Sequence, residues 1–288
     1  MTTRVCVLHL VRAANGPAPL EAFLDAYRRH PAGVEHRLLL VLKGFANDAD
    51  VARHRALAAD VAHDVARVSD EGFDLDAYAR ASAAVREEYC CFLNSFSRPL
   101  DAGWLAKLCA HATRADVGLA GATGSWESTL TTSVGAHSVS SLAWGAVRGL
   151  VTQGRPSGAR ALVSRRMWAL RGRYAPFPNP HVRTNSFVVR RALWTRFGPR
   201  RLRTKAEAER FESGLRGLTR RVAAAGLRTV VVGRDGAAYE PAQWPSSRTF
   251  RVGEQENLLV ADNRTDEYAL ADAPTREALR RMAWGEAA

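Results

Sequence analysis

The sequence predicts an α/β fold, a mostly parallel sheet flanked by helices. Two observations predict it. Unbroken apolar runs recur, as strands buried on both faces require. Amphipathic stretches of helical period separate them, and alternation of that kind makes a parallel sheet.

Val5–Val11 is the first such run. Arg12-Ala-Ala-Asn15-Gly16-Pro17 then turns into a helix, with Pro at an early helical position. Leu20, Phe23, Leu24 and Tyr27 mark that helix's apolar face by their i, i+3, i+4, i+7 spacing. His36–Leu42 is a second buried strand, and Asn47-Asp48 can cap a helix running to Ala59. Asp64–Ser69 is a third, weaker strand, followed by a helix capped by Asp74 or Asp76 and running through Tyr78 to Val85. Tyr89–Leu93 is the fourth strand, Pro99–Ala112 a helix and Val117–Gly121 the fifth strand. Downstream, the pattern predicts an amphipathic helix over Ala159–Leu170, a rigid Pro-rich loop at Pro176–Pro180 and a strand at Asn185–Val189. It also predicts one helix over Lys205–Ala225, with Phe211, Leu215, Leu218 and Val222 on one face, stopped by Gly226. Leu227–Val232 is the last strand, and an irregular tail from Trp244 ends in a short helix near Pro274–Trp284.

The 288 residues are 47% hydrophobic and 24% charged, which excludes disorder as the dominant state. No run of 18 apolar residues offers a membrane span, and Met1–Val5 lead into the first strand without a cleavage-site pattern, so no signal peptide is expected. Cys6, Cys90, Cys91 and Cys109 lie in apolar runs without metal-ligand spacing. They are expected to be buried thiols of a cytoplasmic protein.

The net charge is +12, from 41 basic and 29 acidic residues, and 38 of the basic residues are Arg. Its distribution is uneven. The 79 residues Ser128–Ala206 hold 15 basic side chains and no Asp or Glu. Codon bias accounts for Arg over Lys but not for the missing acids. Such a field implies either an anionic partner or a solvated surface. Nucleic acid is disfavoured as the partner, because aromatic interleaving, helix-turn-helix and zinc patterns are absent.

No GxGxxG, P-loop, GxSxG, HExxH or CxxC motif is present. Ligands of open α/β sheets bind beyond the carboxyl ends of the strands. That rule points to Arg12 and Asn15, to Lys43-Gly44, and to Asn94-Ser95. Asn15 either cradles a ligand or caps the helix that follows.

Ser69-Asp70-Glu-Gly72-Phe73-Asp74-Leu-Asp-Ala-Tyr78, a helix, then Glu88-Tyr-Cys-Cys-Phe-Leu93-Asn94-Ser95 resembles the central stretch of nucleotide-sugar glycosyltransferases with the GT-A fold. The likeness is to family-2-type and rhamnan-synthesis-type members. Glu209–Ala225 followed by Gly226–Val232 resembles their segment that carries an acidic acceptor-side residue. The resemblance spans about residues 4–240. It implies a Rossmann-like GT-A sheet in one domain, with a nucleotide-sugar-binding half at 1–125, an acceptor-side half at 126–245 that includes the basic segment 148–174, and a C-terminal tail at 246–288. It implies a nucleotide-diphosphate sugar as donor and a lipid-linked or glycan acceptor. Arg12, Asn15, Lys43, Asp70, Phe73, Asn94 and Ser95 become the donor-binding candidates.

At the D-x-D position of such enzymes, carboxylates bind a divalent metal that bridges the diphosphate. This strand ends in Asn94-Ser95-Phe96-Ser97, so no metal or other cofactor is expected. Guanidinium groups chelate phosphate oxygens in its place, with Arg155, Arg160, Arg165, Arg166, Arg171, Arg173 and Arg183 as candidates. Either that holds or the chain is an inactive scaffold that binds polyanions or partners. Glu212 is the candidate general base for an acceptor hydroxyl, with Glu209 as fallback; the alternative is an ordinary helix acid favoured by the dipole. Trp126 and Glu127 could stack on a sugar ring and bind its hydroxyls, or Trp126 is a core residue. Asn185, with Asn179 and His181, could contact an acceptor or serve turn chemistry. Seven Arg and the apolar residues of Arg148–Tyr174 suit a peripheral contact with an anionic inner membrane face.

Overall fold

The computed structural model describes residues 5–131 and 169–288. The first half alternates as the pattern predicts: β1 (Val5–Arg12), α1 (Ala18–Arg29), β2 (His36–Lys43), α2 (Asp48–Leu57), β3 (Asp64–Val68), α3 (Asp74–Ser82) and β4 (Tyr89–Leu93). A short β5 (Arg98–Pro99) precedes α4 (Trp104–Ala112), β6 (Val117–Gly121) and β7 (Gly124–Ser125). After the segment outside the described residues come β8 (His181–Val182), β9 (Ser186–Arg190), α5 (Arg191–Phe197), α6 (Lys205–Ser213), α7 (Leu218–Ala224), β10 (Arg228–Val232) and β11 (Ala238–Tyr239). The chain closes with β12 (Val260–Ala261), α8 (Asn263–Leu270) and α9 (Ala273–Trp284).

One sheet of eight strands, in the order β11-β10-β6-β9-β4-β1-β2-β3, organises both halves. β1, β2, β3 and β4 pair in parallel, as do β6 and β10, while β9 runs antiparallel between β4 and β6 and β11 antiparallel at the edge. Alternation along β1 separates two cores. Val5, Val7 and Val11 face α1 and α4 through Phe23, Leu24, Trp104 and Leu108. Cys6, Leu8 and Leu10 face α3, α5 and α7 through Tyr78, Trp194 and Val222. Burial on both sides is why these strands are continuously apolar.

Four expectations are corrected. The helix over Lys205–Ala225 is two: Gly214 and Gly217 are extended and separate α6 from α7. A Cβ at Gly214 would lie 2.4 Å from the Arg210 carbonyl, and Leu215, placed on the apolar face by its spacing, is 41% exposed in the break. The helix expected from Pro99 starts at Trp104, because Arg98–Pro99 pair with β12. Neither Asp74 nor Asp76 caps α3, whose first residue follows Phe73. Asp76 is buried, accepting from Leu202 N at 3.1 Å and pairing with Arg80 at 2.7 Å. The C-terminal tail is not irregular. Trp244, Phe250 and Trp284 are core residues, and Asp262 caps α8 with two backbone N–H bonds. The predicted helix at Ala159–Leu170 falls almost wholly outside the described residues. Among the described residues no helix is long and apolar enough to cross a membrane.

Candidate functional site

The parallel register sets Arg12 beside Lys43 at the carboxyl ends of β1 and β2. Asp70 follows β3, Phe73 precedes α3 and Asn94 follows β4, so the sequence-predicted donor residues lie along one edge of the sheet. Lys43 is 1% exposed and donates to the Asp70 carbonyl at 2.8 Å and to Asp70 Oδ1 at 2.7 Å. Its charge is therefore spent on holding Asp70 out to solvent, and its ammonium holds the Asp70 carboxyl below the usual carboxylate range. Gly44, with φ +78°, permits that approach: a Cβ there would meet the Asp70 side chain at 3.0 Å. Arg12 lies 3.9 Å from Asp74, and its buried Nε has no hydrogen-bond partner among the described residues. Burial raises the Asp74 carboxyl, against the pull of Arg12 and Lys43. Asn15 does not cap α1, whose cap is Pro17, and its buried Nδ2 is also unpartnered. Phe73 is 37% exposed.

Antiparallel β9 brings Asn185 beside Asn94. Asn94 N donates to the Asn185 carbonyl at 2.9 Å, and Asn94 Oδ1 accepts from Phe96 N and from Ser97 Oγ. Asn185 is buried, its Oδ1 accepting from Thr123 Oγ1 at 2.8 Å. The Asn94 side chain and the Asn185 carbonyl, which also accepts from Ser97 Oγ at 2.7 Å, shape the turn at the end of β4, while Asn185 Nδ2 is buried with no partner among the described residues. Ser95 is buried, and its Oγ has no partner among the described residues.

A second group surrounds a cleft of about 330 Å³ between α6, β7–β8 and the C-terminal segment. Glu127, Glu209, Glu212 and Ser213 line one part of it, and Arg183, Arg251, Arg264 and Glu267 another. Glu212 Oε1 accepts from Thr184 N at 2.7 Å and from Thr184 Oγ1 at 3.1 Å. Its Oε2 has no partner among the described residues. His181 is on the wall, its Nδ1 2.8 Å from the Asn179 carbonyl. Asn179 is spent on structure, donating to the Ser213 carbonyl and accepting from Arg220. Trp126 is not on this wall. Its Nε1 donates to the Pro241 carbonyl at 2.9 Å and its ring packs edge-on against Trp284, so it is a packing residue and not an exposed platform.

Arg183 and Arg251 both lie over the Phe250 ring, at 4.2 and 4.9 Å from its centroid. Arg183 pairs with buried Asp262 at 2.9 Å and Arg251 with Glu267 at 3.2 Å. Arg251 is 4% exposed, sits at φ 50° and keeps one buried N–H unpartnered; burial, with Arg183 beside it, lowers its pKa. Arg251, Arg264 and Glu267 escaped the sequence reading because they belong to the C-terminal segment. The signal present was the capping pattern Asp262-Asn-Arg-Thr265, which marks a built helix start. Of the other predicted phosphate ligands, Arg171 and Arg173 are exposed, while Arg155, Arg160, Arg165 and Arg166 lie outside the described residues.

No family model and no curated protein matches the sequence. Solved structures do match the fold. The mannosyltransferase PcManGT from Pyrobaculum calidifontis, solved with GDP-Man and Mn²⁺, superposes with a TM-score of 0.50 and 13% identity, covering 98% of this chain and 70% of that one. The chain has the GT-A glycosyltransferase fold. Glucosyl-3-phosphoglycerate synthase from Mycobacterium tuberculosis matches at TM-score 0.37 and 14% identity, covering 67% of this chain and 57% of that one. TarS from S. aureus matches at 0.34 and 10%, covering 42% and 35%. The chain thus spans less than two thirds of the latter two.

Asn94 and Ser95, the pair that the sequence resemblance sets at the D-x-D position, do not fit a divalent cation. Asn94 Oδ1 is already taken by two donors, and Ser95 offers a neutral hydroxyl where hard cations favour carboxylate oxygen. Among the described residues no group of three His, Cys, Asp or Glu side chains is set to hold an ion.

Proposed function

We propose that the protein is a glycosyltransferase that moves a sugar from a nucleotide-diphosphate donor to a hydroxyl of an acceptor seated in the Glu212 cleft. The observation that carries this reading is the Glu212 carboxylate. Thr184 fixes one of its oxygens, and the other has no partner on the described chain, as a general base needs. In the proposed step the acceptor oxygen attacks the anomeric carbon as Glu212 takes its proton, and the bond to the diphosphate breaks. Glu127 binds acceptor hydroxyls. Arg12 and Asp70, with Phe73 against the base, receive the donor at the sheet edge. Transfer is proposed to need no metal, with guanidinium groups taking the leaving charge. The halves 1–125 and 126–245 divide donor from acceptor. The acceptor is proposed to be a lipid-linked or polysaccharide chain destined for the cell surface. Peripheral contact through 148–174 rests on sequence alone, since only 169–174 of that stretch are described.

The Asn94-Ser95 pair favours a second reading, a GT-A scaffold that binds polyanions or partners without catalysis. Donor hydrolysis or transfer by the unmodified protein separates the two, and Glu212→Gln then tests the base. If Glu212 is the base, the variant folds and binds donor normally, but transfer falls by about 10²–10⁴. Turnover near that of the unmodified protein removes Glu212 from the role.

A further inference from the structure

A second cleft, of about 560 Å³, opens beside the α5–α6 connection. Six guanidinium side chains line it: Arg196 from α5, Arg200 and Arg201 from the connection, Arg210 from α6, Arg216 from the α6–α7 break and Arg221 from α7. None of the six makes an ion pair among the described residues. In this they differ from several arginines elsewhere in the chain. Arg28 pairs with Asp60, Arg37 with Glu87, Arg98 with Asp266 and Arg228 with Asp116. Nor can the segment outside the described residues supply a counter-charge, because residues 1–4 and 132–168 contain no Asp or Glu. The one carboxylate on the wall, Glu207, is engaged by the backbone N–H groups of Arg203 and Thr204 in the capping box of α6.

Two of the arginines are also held in place. Arg221 donates to the Phe197 carbonyl at 3.0 Å and Arg210 Nε to the Ala206 carbonyl at 3.2 Å. The wall at Leu202 is tied to the start of α3 by Phe73 N donating to the Leu202 carbonyl. Gly72 is required there, since at φ +73° a Cβ would lie 2.6 Å from that carbonyl oxygen. Like charges gathered around one concavity repel each other unless an anion joins them. Guanidinium forks match phosphate oxygens in bidentate geometry.

We propose that this cleft is a binding site for a multiply charged phosphate group, separate from the Glu212 cleft. Three of its arginines belong to the acid-free block of the sequence, which gives that block a concrete use. α6 stands between the clefts, presenting Glu209 and Glu212 to one and Arg210 and Phe211 to the other.

Arginine footprinting on the full chain tests the proposal. The protein is treated with phenylglyoxal and the modified positions are read by mass spectrometry. Inorganic pyrophosphate, phosphatidic acid vesicles, phosphatidylcholine vesicles and a single-stranded oligonucleotide are compared. The expected result is at least fivefold slower modification of Arg200, Arg201 and Arg216 with pyrophosphate or anionic vesicles, and an unchanged rate at Arg53 and Arg55 on α2. Protection by pyrophosphate marks a free phosphorylated ligand, and protection by anionic vesicles alone marks a lipid headgroup; both support the site. The combined variant Arg196→Gln, Arg200→Gln, Arg201→Gln, with an unchanged circular dichroism spectrum, should weaken pyrophosphate or vesicle binding by at least tenfold. Equal protection at Arg53 and Arg55, no protection, or protection only by a single-stranded oligonucleotide overturns the proposal.

Discussion

His9 sits wholly inside the molecule, its ring stacked 3.8 Å from that of Phe23, and neither ring nitrogen has a hydrogen-bond partner among the described residues. Burial drives its pKa down to about 3. The folded protein therefore keeps His9 neutral where the unfolded chain takes up a proton. The stability this gives is complete above the unfolded value near 6.5 and is lost as pH falls toward about 3. The loss approaches about 1.4 kcal/mol for each pH unit within that window. Urea unfolding from pH 7 to 4 should show this slope, and His9→Phe should flatten it. An unchanged slope in the variant would mean that other groups set the acid sensitivity. Single residues were unevenly legible in the sequence. Lys43, Asp70 and Asn94 could be placed at strand ends, but not their bonds. Nothing local indicates that Lys43 is buried under Asp70, or that Asn94 N donates to the Asn185 carbonyl, because both depend on β3 and β9 lying alongside.

α9 shows how an element can be expected from the sequence while its place in the core goes unseen. Trp284 at its end is buried, donates to the Phe250 carbonyl at 2.8 Å and meets the Trp126 ring. Met282 and Leu279 of the same helix line the Glu212 cleft. Trp284→Ala should cost about 3–5 kcal/mol. In a thermal melt that is a fall of roughly 5–8 °C. A shift below 2 °C would mean that α9 is not integral to the core. The strands of the first half were legible because burial on both faces leaves an unbroken apolar signature. The break between α6 and α7 was not, since Gly214 and Gly217 sit inside an otherwise helical period. The order of the C-terminal segment was hidden because it is built from caps, short turns and a two-residue strand.

On the scale of the whole molecule, one twisted sheet sets two stations side by side: the strand edge at Arg12, Asp70 and Asn94, and the Glu212 cleft closed by the C-terminal segment. The excess positive charge lies in the part of the chain from Ser128 to Ala206, and its described portion feeds both clefts through Arg183, Arg196, Arg200 and Arg201. The fold class could be read from the alternation of elements. The cleft could not, because most of its wall comes from residues beyond Asn179 that meet only in three dimensions. The central claim is that this GT-A chain binds a nucleotide-diphosphate sugar with guanidinium groups in the place of a metal. The most direct test is calorimetric titration of the full chain with a panel of nucleotide sugars, each in EDTA and in Mn²⁺. The account predicts that at least one donor binds and that its affinity in the two conditions agrees within tenfold, about 1.4 kcal/mol. Binding that appears only with Mn²⁺, or no binding by any donor in either condition, would contradict it.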